Sequence, residues 1–332
     1  MRIGLAGAGR IGCMHAGILA GLPSVESVIV ADRHPARAEA LAGRIGGKSV
    51  ETLSDLLATG VDGLVVAAST GAHAEILLAA AEAGLPTFCE KPVALEVATT
   101  EAVVRKLEDV GAVVQMGFQR RFDPGYAALR RAVRSGELGW LHSVRAVAAD
   151  PSPPPAEFVA TSGGLFRDCV VHDADAIRWV TGQEVVSVYA AGANQGADFF
   201  AASGDVDTGA ALFVLEGGTL ASVSVSRYNG HGYDARLEVA GSVATMVAGL
   251  SDRSSLAPAD EGVPWPGGSP HVDFMDRFAE AYRAELVAFT EVVAGLRPSP
   301  CLPADALAAA YVVEACEASR REGRMVVVEA CS

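Results

Sequence analysis

Within its first twenty residues the chain runs a short apolar strand, Arg2 to Ala6, into Gly7-Ala8-Gly9-Arg10-Ile11-Gly12 and then into a helix-period segment, Ile11 to Ala20. Few sequence features narrow a fold so far. The first glycine suits a tight turn, the second lets backbone approach a pyrophosphate, and the third lets strand and helix pack closely. Arg10 and Ile11 open the helix, whose first N–H groups lack intrahelical partners and can face phosphate. Taken alone, the hexapeptide could equally be a plain strand-to-helix turn. Asp32, at the end of the next apolar run, adds a carboxylate placed to hydrogen-bond an adenosine ribose. That carboxylate repels a 2′-phosphate and favours NAD. Arg33 beside it keeps NADP open, the bland reading of Arg33 being a solvated surface charge.

The pattern continues as alternating strands and helices. The runs Arg2 to Ala6, Val28 to Ala31, Gly63 to Ala67, Thr87 to Cys89 and Val113 to Gly117 predict strands. Ile11 to Ala20, Pro35 to Gly43, Leu53 to Ala58, His73 to Ala83 and Val97 to Val110 predict helices. This is the rhythm of an α/β fold with a Rossmann-type, doubly wound parallel sheet. After Phe118 the rhythm changes. A helix near Pro124 to Val133 and a strand near His142 to Ala148 precede Pro151-Ser152-Pro153-Pro154-Pro155, which excludes helix and central strand and predicts an extended surface segment or lid. A helix over Leu165 to Thr181 follows. Then come alternating runs at Val185 to Ala190, Ala210 to Leu215, Thr219 to Ser226 and Tyr233 to Ala240, whose spacing predicts an α+β domain on one open, mainly antiparallel sheet. Helices over Phe274 to Ala294 and Ala304 to Arg320 and a strand over Arg324 to Glu329 complete the pattern.

A chain of 332 residues points to about two domains. The expected division is 1–118 for the dinucleotide and 119–332 for substrate and oligomerisation, with 304–332 able to pack back on the first domain. The net charge of −14 argues against nucleic acid and anionic membrane as partners. No segment reads as a leader or a membrane span, and Cys13, Cys89, Cys169, Cys301, Cys316 and Cys331 form no C-x-x-C pair, so reduced thiols and a cytoplasmic location are expected. The histidines show no metal-ligand spacing, and no metal is expected.

Three further segments carry a resemblance: Glu90-Lys91-Pro92; Gly117-Phe118-Gln119-Arg120-Arg121-Phe122-Asp123-Pro124; and Gly163-Gly164 leading to Asp168, His172, Asp173 and Asp175. Together with the glycine loop, they resemble the glucose–fructose oxidoreductase, inositol dehydrogenase and rhizopine catabolism (Gfo/Idh/MocA) family through nearly the whole chain. Gly204-Asp205-Val206-Asp207-Thr208 and Gly232-Tyr233-Asp234-Ala235-Arg236 resemble its inositol 2-dehydrogenase branch. That branch commonly has Asn at Gln119 and Tyr at His231, departures that bear on which polyol fits.

Oxidising a secondary alcohol needs a group that takes the hydroxyl proton while a hydride leaves carbon. Histidine suits that task near neutral pH. Asp168 and His172 are four apart on one predicted helix, and Asp175 and Trp179 continue the stripe; the bland reading is a solvated edge with an ordinary ion pair. The resemblance implies that His172 is the general acid/base, that Asp168 orients substrate and proton, and that Lys91, held by a Lys91–Pro92 bond that the family pattern makes cis, contacts the reacting hydroxyl and the nicotinamide. Cofactor contacts are expected from Ser69, Thr70, His73, Glu90 and Lys91, with a helix-cap role open for Thr70. Gln119, Asp150, His231 and Tyr233 are candidate polyol contacts, as is Asp175, each equally readable as structural. Arg120 and Arg121 are candidates for substrate, cofactor and domain-bridging roles, with bridging expected of one of them, and Trp179 reads as core.

The implied activity is NAD-dependent oxidation of one hydroxyl of a cyclitol or sugar. The alternatives are another sugar derivative on the same scaffold or a non-catalytic dinucleotide-sensing regulator. Apolar alternation on the exposed face of the second sheet, with the resemblance, implies a homodimer or homotetramer through that sheet.

Overall fold

The computed structural model describes residues 1–328. The chain divides into two compact units, Met1–Gln119 with Tyr282–Leu307, and Arg120–Ala281 with Ala308–Ser332. In the first, strands and helices alternate: β1 (Arg2–Ala6), α1 (Arg10–Ala20), β2 (Ser27–Ala31), α2 (Pro35–Ile45), β3 (Lys48–Val50), α3 (Leu53–Ala58), β4 (Gly63–Val66), α4 (Thr70–Glu82), β5 (Thr87–Glu90), α5 (Val97–Asp109) and β6 (Val114–Gly117). The six strands form one sheet in the order β3-β2-β1-β4-β5-β6, every described pairing parallel. This is the Rossmann arrangement. Chain direction across the sheet reverses between β1 and β4, so the loops leaving these strands flank a topological switch point, where such sheets bind ligands.

The strands are apolar on both faces because helices cover both: β1 and β4 bury Ile3, Leu5, Leu64, Val65 and Val66 completely. Leu19 and Ala16 of α1 and Leu41 of α2 pack into the same core, joined by Leu286 and Phe289 from a helix far along the chain. Burying side chains of this size contributes about 1.5–3 kcal/mol each.

The second unit begins with a 3₁₀ turn at Gln119–Phe122, which straddles the division. It continues with α6 (Pro124–Arg134), β7 (Leu141–Ala149), α7 (Ala156–Val159), a π turn at Phe166–Val170, α8 (Val171–Thr181), β8 (Val185–Ala193), α9 (Phe199–Ala202), β9 (Thr208–Leu215), β10 (Leu220–Ser226), β11 (Asp234–Gly241), β12 (Thr245–Ala248), α10 (Phe274–Arg277), α11 (Ala279–Val293), α12 (Pro303–Glu322) and β13 (Val326–Val327), of which α11 and α12 cross between the two units. Its open seven-stranded sheet runs β12-β11-β7-β10-β9-β8-β13. Only the β7–β10 pair is parallel among the described pairings. Alternate residues of β9 and β10 are buried, and α8 packs on α6 and β7.

Four local expectations differ from the structure. Edge strands β3 and β12 are additional; at three and four residues each is too short to leave a period that can be counted in the sequence. The helix over Phe274–Ala294 breaks at Phe278 into α10 and α11. The helix over Leu165–Thr181 opens with the π turn. The final strand is confined to Val326–Val327; Glu329 and Cys331 lie outside the described residues.

Candidate active site

The glycine loop leaves β1 and reaches the start of α1. Gly7 has φ +108°, and a Cβ there would sit 2.5 Å from the Ala67 carbonyl oxygen; a Cβ on Gly12 would sit 2.0 Å from the Gly7 oxygen. Neither position admits a side chain. A Cβ on Gly9 would meet no heavy atom within 4 Å, so that side of the loop is open for a ligand to approach. Gly9 is also the N-cap of α1 and gives no side-chain cap, leaving the helix's first N–H groups for an anion. Asp32, at the end of β2, accepts the Ala8 N–H on Oδ2 and the His34 N–H on Oδ1, both at 2.8 Å. Arg10 and Arg33 are exposed. A packed turn, an open glycine and a carboxylate at the end of β2 fit the pyrophosphate and ribose of NAD.

Ser69 is the N-cap of α4 and Thr70 its first residue; Ser69 makes no side-chain cap bond, so the cap position belongs to Ser69 rather than Thr70. His73 is buried, with Nδ1 2.8 Å from the Pro92 carbonyl oxygen and Nε2 3.0 Å from that of Ala68. Each ring nitrogen thus faces a backbone carbonyl oxygen, and the one that bears the proton donates to it. Glu90, at the end of β5, places Oε1 2.7 Å from Nε2 of the wholly buried His15 in α1. Lys91 is half-buried, and the Lys91–Pro92 bond is cis.

In the second unit, Asp168 sits in the π turn and His172 in the first turn of α8, half-buried. A π turn winds through fewer degrees per residue than an α turn, which keeps a spacing of four close to one face. Arg227, just past β10 and 4% exposed, donates to both Asp150 (3.0 Å) and Asp168 (2.7 Å). Burial opposes its charge, but Cys169, Asp168 and Asp150 outweigh that effect and hold the guanidinium protonated. Tyr233 is buried with its ring edge-on to Phe274 and Phe278, and burial pushes its hydroxyl well above the ordinary range. Gln119 is buried in the 3₁₀ turn, whereas His231 is exposed in the loop before β11. Asp150, Asp168, Arg227 and Tyr233 are thus brought together, and His231 projects outward.

The arginine pair takes a role inside the second unit. Arg120 is ion-paired with Asp173, and Arg121 forks onto Asp175 with Nε and Nη2 at 2.9 and 2.5 Å, all four side chains buried. These contacts tie the 3₁₀ turn to α8. Asp175, weighed as a polyol contact, is instead engaged by Arg121, and Trp179 is stacked by the Arg130 guanidinium 4.4 Å from its ring centre. Arg120 and Arg121 thereby support the helix that carries His172.

Two residues of the site escape sequence reasoning. Arg227 has partners 59 and 77 positions away, and its only local signal is a lone cation at the end of an alternating apolar run. His15 lies in α1 with nothing nearby to suggest Glu90 as its partner, although a histidine on the buried face of a helix is itself a signal.

Comparisons with known proteins agree with this fold. Residues 1–118 match the oxidoreductase family with an NAD-binding Rossmann fold, and residues 126–247 match the Gfo/Idh/MocA C-terminal domain. The chain is 40% identical over 300 residues to myo-inositol dehydrogenase Hyg17 of Streptomyces leeuwenhoekii, covering 89% of each. It is 36% identical over 332 residues to inositol 2-dehydrogenase of Rhizobium meliloti, covering 99% of each. The structure of scyllo-inositol dehydrogenase from Lactobacillus casei with bound NAD(H) and scyllo-inositol superimposes with a TM-score of 0.89 at 28% identity, covering 99% of each chain. The glycine loop, Asp32 and the two-sheet architecture thus belong to an NAD-binding oxidoreductase of the Gfo/Idh/MocA family, related to the inositol dehydrogenases.

Proposed function

We propose that the chain oxidises one ring hydroxyl of a cyclitol to the ketone, using NAD. The observation that carries this reading is the paired presentation of Asp150 and Asp168 by the buried Arg227, with His172 in the next turn of the helix. A polyol ring needs several convergent hydrogen-bonding groups and one base, and this set supplies them.

Residues 1–119, with 282–307 folded into the same unit, act as the cofactor domain, and 120–281 with the segment from 308 onward act as the substrate and oligomerisation domain. Gly7, Gly9, Arg10, Ile11 and Gly12 receive the pyrophosphate, Asp32 the adenosine ribose, and Ser69 and Thr70 line the path toward the nicotinamide. NAD, when bound, supplies the hydride acceptor. His172 takes the hydroxyl proton, Asp168 fixes the orientation of that hydroxyl, and the Lys91 ammonium stabilises developing alkoxide charge on the same oxygen. Asp150, Tyr233 and Gln119 hold the remaining ring hydroxyls. Asp32 disfavours NADP through its charge, and the exposed Arg33 leaves secondary use of NADP in reach.

The test is a panel of inositols and aldoses, each incubated with NAD and with NADP, read by absorbance of the reduced nicotinamide. Turnover of an inositol with NAD is expected, and no turnover of any polyol in either direction refutes the reading. His172→Ala is expected to abolish turnover while leaving NAD affinity within about threefold; equal loss of both makes His172 structural. The exposed His231 and the glutamine at 119 favour, as a second reading, a sugar or sugar derivative as substrate on the same chemistry.

The exposed face of the second sheet supports self-association. Register places Tyr189, Leu212, Ser222, Arg145, Glu238 and Val247 in one row across β8, β9, β10, β7, β11 and β12. The apolar members of that row are each more than a third exposed, a solvent-facing apolar content that a second copy would cover.

A further inference from the structure

We propose that His15 and His73 are positioning residues that hold Lys91 from both sides through its chain neighbours. This rests on the reading that Lys91 contacts the reacting hydroxyl. Glu90 precedes Lys91 and is bound by His15 Nε2 at 2.7 Å; Pro92 follows it, and its carbonyl oxygen lies 2.8 Å from His73 Nδ1. Each histidine stands on a helix entered directly from one of the two loops at the switch point, His15 in α1 after the glycine loop and His73 in α4 after Ala68-Ser69. Both rings are buried, at 0% and 2% exposure. The His15 ring is wedged edge-on against Phe88 and Tyr282, with centroids at 5.3 and 5.9 Å. Gly117 on β6 leaves room for the Glu90 carboxylate, since a Cβ there would lie 3.1 Å from Glu90 Oε2. His73 Nε2 meanwhile faces the Ala68 carbonyl at 3.0 Å, so one ring joins the end of the β4 loop to the Lys91 turn.

Such an arrangement constrains the Lys91 backbone at residues 90 and 92 and so fixes the point from which its side chain reaches. A lysine tethered on one side only would keep its charge but lose its aim, and misplacement by about 1 Å is enough to cost a large factor in rate. Glu90 accordingly acts on the turn, through His15.

The test uses the full-length protein with NAD and the polyol that it oxidises. His15→Phe and His73→Leu should each lower kcat at least tenfold with the Kd for NAD, from fluorescence titration, within threefold. His15→Gln, which restores an amide N–H near the Nε2 position, and His73→Asn, which restores one near Nδ1, should recover most of the loss. In a Lys91→Ala background, His15→Phe should change the residual rate by less than twofold. Full activity in His15→Phe and His73→Leu, or an undiminished effect of His15→Phe without Lys91, overturns the proposal. Wild-type turnover in Lys91→Ala sinks instead the role given to Lys91. The acetylation rate of Lys91, read by mass spectrometry without substrate, is an independent measure: a change of threefold or more in His15→Phe supports the positioning, and an unchanged rate refutes it.

Discussion

Replacing Arg227 by methionine keeps an unbranched apolar stem and removes the guanidinium that joins Asp150 to Asp168. Two charge-assisted hydrogen bonds are lost, at 3.0 and 2.7 Å, each worth about 1.5–3 kcal/mol. Breaking a fully buried ion pair costs about 3–5 kcal/mol because the stranded charge cannot be solvated. Here the two carboxylates retain 24% and 18% exposure, so water reaches them once the guanidinium is gone. A net loss near the bottom of that range, about 3 kcal/mol, is expected. For a unit of this size that is a drop in Tm of about 6–12 °C. Asp168 also loses the contact that fixes its rotamer, and misorienting it by an amount worth about 2.7 kcal/mol in the transition state lowers kcat/KM about 100-fold. Arg227→Lys, with one compact ammonium in place of a planar fork, should fall between the two, because it cannot satisfy both carboxylates with the same geometry. Thermal unfolding followed by circular dichroism and initial rates of NAD reduction with the preferred polyol measure both effects. A methionine variant within 1 °C and twofold of wild type would refute the idea that this cation organises the acidic pair.

Other consequences are direct. Gly12→Ala places a methyl 2.0 Å from the Gly7 carbonyl oxygen and should weaken NAD binding by more than tenfold in a fluorescence titration while the unfolding transition survives. Asp207 is wholly buried; burial works to raise its pKa, but the N–H groups of Gly196 and Gln195, at 2.7 and 2.8 Å, outweigh this and hold the carboxyl below its ordinary value. A depressed native value stabilises the fold fully above the unfolded pKa, about 3.9, and that contribution is lost as pH falls through the native value. The gap in Tm between wild type and Asp207→Asn should therefore be full at about pH 6 and close in more acid solution; a gap that widens there contradicts the assignment. Leu212→Asp, in the exposed row of the second sheet, should reduce the mass seen by light scattering to that of one chain and leave the monomer folded, whereas an unchanged oligomer would place the interface elsewhere.

The parts of this molecule legible in sequence are those encoded locally. The glycine hexapeptide, the two-faced apolar strands and the lengths between them are enough for the first sheet, because parallel strands with covering helices leave a period that one can count. The catalytic candidates were visible by resemblance rather than by pattern, since Asp168-x-x-x-His172 alone is an ordinary helical spacing. Register between distant strands was not legible. Nothing near Leu220–Ser226 shows that it pairs in parallel with Leu141–Ala149, because that choice is made by packing across a long loop rather than by a turn. For the same reason Arg227, whose partners lie on β7's far end and in the π turn, carries no mark of its role in its own neighbourhood. Arg120 and Arg121 were recognisable as unusual, yet only the structure gives their partners, the two carboxylates on α8.

Asp32 has one oxygen on the Ala8 N–H and the other on the His34 N–H. The acid that would discriminate between cofactors is therefore also a strut of the glycine loop, and the two duties cannot be separated by mutation at that position. Exchanging it for a neutral residue to admit a 2′-phosphate removes repulsion and loosens the phosphate-binding turn in the same stroke, so affinity for both cofactors falls together. A change of preference is better sought at Arg33 and His34, whose exposed side chains can be altered without touching the Asp32–Ala8 bond.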